Sequence, residues 1–157
     1  MSITPTIHTF CFFLIVTTSV QPAFATPNPA IDIEKAWRSL QTIAGTWSAD
    51  DQNQVKWRQT GQTRLKKVVF EAGEERTIGQ LIRKKDTIIY EFKKDDQIVS
   101  LELKEASSSM WVFTTETDAL LRSVQLSLIN GEVLKNEIVA ESPSGRRFSI
   151  QSEMSRQ

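Results

Sequence analysis

The chain has 157 residues, in which 19 Lys and Arg balance 19 Asp and Glu, with one His and one Cys. Zero net charge leaves no field that would draw nucleic acid or an anionic membrane. A single cysteine excludes an intrachain disulfide, so the fold must be held by its own core.

The first 25 residues contain no Asp, Glu, Lys or Arg and include an apolar run from Phe10 to Val16. That run is too short to span a membrane, and Ala23-Phe24-Ala25 has the small-x-small pattern of a signal-peptidase site. The expectation is a signal peptide over residues 1–25 and one domain over residues 26–157, periplasmic or secreted, with no membrane insertion after cleavage. Cys11 and His8 leave with the signal. The mature chain then has no thiol or imidazole for a nucleophile, a base, a zinc site or a haem ligand, and no cofactor or metal is expected. About 130 residues suffice for one self-supporting core.

Asn28 and Pro29 suit the N-cap and first position of a short helix. Ile33, Trp37 and Leu40 recur at helical spacing, with Ile43 or Ala44 extending the stripe and Glu34, Lys35, Arg38 and Gln41 on the other face. The helix should end near Ala44, closed by Gly45 in the left-handed conformation. Trp37 on the apolar stripe is expected to plug one end of whatever follows.

From Thr46 onward the pattern is that of strands. Turn-forming clusters recur about every ten residues, at 50–53, 60–62, 72–75, 84–86, 94–97, 106–109, 116–119, 130–131 and 142–145. Asn130-Gly131 is the signature of a type I′ hairpin. Apolar and polar residues alternate at Val99, Leu101 and Leu103, at Val124, Leu126 and Leu128, and at Phe148 and Ile150. Phe148 and Ile150 are therefore expected to point inward. The reading is all-β, an antiparallel up-and-down β-barrel of about 8–10 strands behind a short N-terminal helix, because closure removes exposed edges.

Gly45-Thr46-Trp47 after a short helix resembles the opening of the calycins, the lipocalin, fatty-acid-binding and avidin-like barrels, and the chain is similar to exported bacterial calycin-like domains. The resemblance is architectural: it implies a small β-barrel and carries no activity with it. It also implies a basic residue of the last strand stacked on the Trp47 indole, for which Arg146 and Arg147 are the candidates. The chain departs from several members: it has no Arg-x-Tyr near its end, no histidine in the mature part for haem, and only Trp57 and Trp111 after Trp47.

Trp47, Trp57, Tyr90, Trp111 and Arg146 are the candidate ligand-binding residues, aromatics with a polar handle plus one cation. The alternative for the aromatics is that they simply fill the barrel. The basic runs Arg64-Leu65-Lys66-Lys67, Arg83-Lys84-Lys85 and Lys93-Lys94 read as solvated, edge-protecting positions, since acidic residues follow the latter two closely. Ser107-Ser108-Ser109 lacks a histidine partner, and no catalytic motif is present, so no catalytic residues are assigned and binding is preferred to catalysis. The functional expectation is an exported barrel, monomeric or weakly self-associating, that binds a small apolar or amphipathic ligand. The alternative is a protein-binding module, a periplasmic inhibitor or immunity-type protein with no internal ligand.

Produced in a bacterium with its native N-terminus, the protein should be recovered outside the cytoplasm beginning at Thr26. An intact mass that retains Met1 would contradict the signal peptide.

Overall fold

The computed structural model describes residues 30–157, apart from residues 51–53, 72–73, 95, 117 and 119. The expected signal segment and the helix start at Asn28 and Pro29 lie outside the described residues. Asp32 is the N-cap instead: its side chain accepts the Lys35 N–H at 3.0 Å, and helix α1 runs Ile33–Leu40. A 3-10 turn, Gln41–Ile43, continues it to Ala44.

Ten strands follow: β1 Gly45–Ser48, β2 Gln54–Gln59, β3 Arg64–Glu71, β4 Glu74–Arg83, β5 Ile88–Lys94, β6 Gln97–Ala106, β7 Met110–Thr114, β8 Leu121–Ile129, β9 Val133–Glu141 and β10 Arg147–Arg156. Each pairs antiparallel with its chain neighbour, and β10 returns to β1 to close the barrel. Asn130 and Gly131 both have positive φ, 52° and 77°, and Glu132 N–H donates to Ile129 O, as a type I′ turn requires. The alternation read from sequence is realised in β6, where Val99, Leu101 and Leu103 are buried between exposed neighbours. It blurs in β4 because Lys67 pairs with Gly79 and Val68 with Thr77, leaving Ile78 as a bulge.

One barrel end is plugged by the helix. Trp37, Leu40 and Ile43 are buried in the main core, and three indoles tie the plug down. Trp37 Nε1 donates to Gln62 O at 2.9 Å, Trp111 Nε1 to Ser39 Oγ at 2.9 Å, and Trp47 Nε1 to Ile43 O at 2.8 Å. Glu34 adds an ion pair to Arg83 on β4.

Closure depends on Arg156. Its guanidinium lies 4.5 Å from the Trp47 ring centre, and the two residues are register partners across β10 and β1. Nη2 donates to Thr42 O at 2.7 Å, Nη1 to Ala44 O at 3.3 Å and Nε to Gly131 O at 3.0 Å. A cation on the terminal carbonyls of the helical segment also favours its dipole. The stacked arginine of the last strand is thus Arg156 and not Arg146 or Arg147, because antiparallel pairing brings the far end of β10 to β1. Arg147 pairs with Glu141 at the opposite end of the strand. Gly45 differs from expectation too: it begins β1 at φ 144° and does not cap a helix, and a Cβ there would meet Arg156 Nη1 at 3.3 Å.

The other end is open. β1 pairs with β10 only at Trp47↔Arg156 and Ser48↔Ser155. Phe148 and Ile150 lie on the same face of β10 as the buried Met154, as alternation predicts, yet they are 49% and 61% exposed. Among the described residues, no strand pairs with β10 beside them on the β1 side.

Arg156→Ala and Trp47→Ala, singly and together, should reveal this clasp in denaturant titrations. Trp47→Ala should cost about 3–5 kcal/mol as a core truncation. The coupling should be about 0.5–1 kcal/mol, the value for a stacked cation that remains exposed. Strict additivity of the two changes would remove the contact from the account of closure.

Candidate functional site

The barrel interior is solid near the plug and hollow toward the open end. Two cavities share Phe92, Lys93 and Ile138 in their walls. The outer one, about 570 Å³, is walled mainly by Phe92, Leu120, Leu121, Ile138, Ala140 and Phe148. Its apolar character follows from register, since Ala140 faces Phe148 and Ile138 faces Ile150 across β9 and β10. The inner one, about 210 Å³, is reached by Lys67, Tyr90, Val124 and Asn136 from β3, β5, β8 and β9.

Lys67 pairs with Trp57 across β2 and β3 and shares the inward face with Leu65. Its Nζ sits 5.8 Å from the Trp57 ring centre. Burial lowers its pKa from the ordinary lysine value, and no charged neighbour opposes the shift. Tyr90 is buried against Trp57, Phe92 and Phe113, with ring centres 6.1, 5.4 and 5.7 Å away. Burial raises its pKa above the tyrosine range, so the hydroxyl stays protonated. Gly79 admits these rings: a Cβ there would meet Tyr90 Cε2 and Phe92 Cβ, each at 3.4 Å, and Glu91 O at 3.2 Å. Asn136 Oδ1 is buried without a hydrogen-bond partner.

The other two lysines at these cavities are neutralised. Lys93 pairs with Asp96 at 2.7 Å and Lys94 with Asp118 at 3.2 Å. Asp118 is itself held below the usual carboxylate range, first by the N–H of Leu121 (2.7 Å), then by that of Leu120 (2.8 Å), and less by Lys94.

The five sequence candidates separate cleanly. Tyr90 lines the inner cavity and Trp57 packs behind it, under Lys67. Trp47 and Trp111 belong to the plug, and the Trp57 indole N–H is buried without a partner. Arg146 sits in the β9–β10 turn, where its N–H donates to Ser142 Oγ at 3.1 Å. Sequence reasoning missed Lys67, Asn136 and the apolar outer wall. Lys67 belongs to a basic run that reads as solvated in sequence, but its spacing from Leu65 places it on the core face. A groove of about 650 Å³ lies beside α1, between Asp32 and Ser107; in its wall Asp32 caps the helix and Ser39 holds Trp111.

Among the described residues, no cluster of His, Cys, Asp and Glu could hold a metal ion, and no helix is long and apolar enough to cross a membrane. Comparison with family models, with curated proteins and with solved structures finds no match to this chain. The ten-strand antiparallel barrel with one short helix is consistent with a calycin-like fold.

A lysine whose folded pKa is depressed carries a penalty below that pKa, and the penalty is relieved as pH rises toward the unfolded value. Lys67→Met should therefore raise the melting temperature at neutral pH. The gain should shrink as pH rises through the depressed folded pKa toward the ordinary lysine value. A gain independent of pH would place the Lys67 ammonium in water.

Proposed function

We propose that this is an exported calycin-like barrel that binds a small apolar or amphipathic molecule through its open end. The observation that carries the reading is the outer cavity: about 570 Å³ of mainly apolar wall, adjoining a smaller chamber that Lys67 and Asn136 also reach, in a barrel otherwise filled by its own side chains. Ligand sites have this build, a concave apolar body with a few placed polar groups. Large apolar residues left in water at one place on a small protein also call for an occupant. Phe148, Ile150 and Leu120 meet that description.

Export rests on the signal-like segment over residues 1–25, and the calycin assignment on the plug, Gly45-Thr46-Trp47 and the closed meander. A protein-binding role is the second reading. It is favoured by the β10 edge beside Phe148 and Ile150, which could accept a partner strand.

Protein purified from its own host should carry a co-purifying small molecule in native mass spectra. The uncharged dye Nile red should enter the delipidated protein, and Phe148→Glu should weaken it by about tenfold, since a carboxylate in the apolar wall must be desolvated. Nile red binding untouched by Phe148→Glu would remove the outer cavity as the site.

A further inference from the structure

Most of β10 is an unprotected sheet edge. It pairs with β9 from Arg147 to Ser155 without a register shift, yet with β1 only at Ser155 and Arg156. Arg156 N–H donates to Glu132 O, and Arg146 O accepts the Ser142 N–H, so the even-numbered residues of the strand turn their backbone groups toward β9. Gln157 N–H donates instead to Thr46 O, on the β1 side. By the same alternation Arg147, Ser149, Gln151 and Glu153 aim their N–H and C=O groups at the side where, among the described residues, no strand pairs with them. Natural edges are commonly blunted by Pro, Lys or a bulge. This one has none of the three between Arg147 and Met154, and Phe148 and Ile150 stand exposed along it.

A strand would satisfy such an edge, and this edge is complementary to itself. Two copies laid antiparallel about a two-fold axis at Ile150 set Arg147 opposite Glu153 of the second copy and Ser149 opposite Gln151 of the second copy. In both pairs the backbone groups point outward, as the hydrogen-bonded pairs of an antiparallel ladder require. Ile150 meets its own counterpart in the closer, non-hydrogen-bonded pair, with Phe148 on the same face, so each copy covers apolar surface of the other. Charge is matched further out as well. On β9, Glu141 is the register partner of Arg147, at 3.0 Å, and Lys135 that of Glu153, at 3.7 Å. Across the axis the row reads Glu141, Arg147, then Glu153 and Lys135 of the second copy, alternating in sign throughout, and the two-fold repeats it. Moving the axis to Ser149 or Gln151 places Arg147 opposite Gln151 or Ser155 and loses both new ion pairs.

We propose that a second copy of this chain occupies the edge, β10 against β10 about Ile150, in a two-fold dimer whose sheet runs unbroken from one barrel into the other. A foreign strand would use the backbone ladder alone; the sign-matched rows and the apolar centre are what select a second copy. Phe148 also walls the outer cavity, so Ile150 of the second copy joins the rim of the open end. The proposal goes beyond the ligand reading and does not depend on it, since dye binding and self-association are separate measurements.

Sedimentation equilibrium of the protein produced from the full chain should show a concentration-dependent dimer. Arg147→Glu and Glu153→Arg should each weaken it by about tenfold, because like charges then face each other in both rows. An equal mixture of the two variants should recover the original association, since every facing pair is again of opposite sign. In a Cys11→Ser background, which leaves the introduced thiol alone in the chain, Ile150→Cys should oxidise to a covalent dimer, its Cα atoms lying about 4.5 Å apart as a non-hydrogen-bonded pair. Ser149→Cys and Gln151→Cys should cross-link far less. A monomer at every concentration would overturn the second copy as occupant and leave the edge to a foreign strand. A dimer indifferent to both charge reversals, or one trapped best by Ser149→Cys or Gln151→Cys, would overturn this interface and its register.

Discussion

The stacking of Arg156 on Trp47 is the contact through which this barrel becomes closed. β1 contributes four residues and shares two register pairs with β10, a slender seam for a ten-strand ring. Arg156 reinforces it by reaching in three directions: to the end of the helical plug, to the β8–β9 turn, and over the indole. Gln157 adds a backbone bond from its N–H to Thr46 O at 3.0 Å. The guanidinium suits this place because its donors are spread in a rigid plane that can stack and bond at once, which a lysine ammonium cannot do. Gly45 completes the arrangement, since a side chain there would crowd the same guanidinium.

That single seam explains why the two ends of the barrel differ. At the plug, apolar side chains interlock and three of four indole N–H groups are bonded, so polar and apolar surface are satisfied together. Away from it, most of β10 has no partner toward β1 among the described residues, and Phe148 and Ile150 face a space with little to cover them. In the interior layers between, the Trp57 indole N–H and Asn136 Oδ1 are buried without partners. Stability is thus concentrated at one end, and the unsatisfied chemistry is left where a small molecule could reach it. This is the usual division between a scaffold and the site it supports.

The strand meander was legible because its signals are local. Turn residues such as Asn130-Gly131 act through their own φ and ψ, and alternation as in Val99, Leu101 and Leu103 requires only that a strand have one dry face. The helical stripe ending in Ile43 likewise announced a plug, and Trp37 performs that role. The site was less legible. Its residues come from strands well separated in the chain, and a basic run such as Arg64-Leu65-Lys66-Lys67 looks solvated until its register is known.

By itself the sequence determined the number of turns, the antiparallel order of the strands and the helix that seals one end, since each follows from backbone preference and period over a few residues. Tertiary structure alone decided which arginine covers Trp47, which face Lys67 occupies and whether Phe148 and Ile150 are covered. Those outcomes depend on how far one strand slides past another. A β-strand reverses its facing with every residue, so a bulge at Ile78 or the reach of β10 to Arg156 settles them, and no local preference records either.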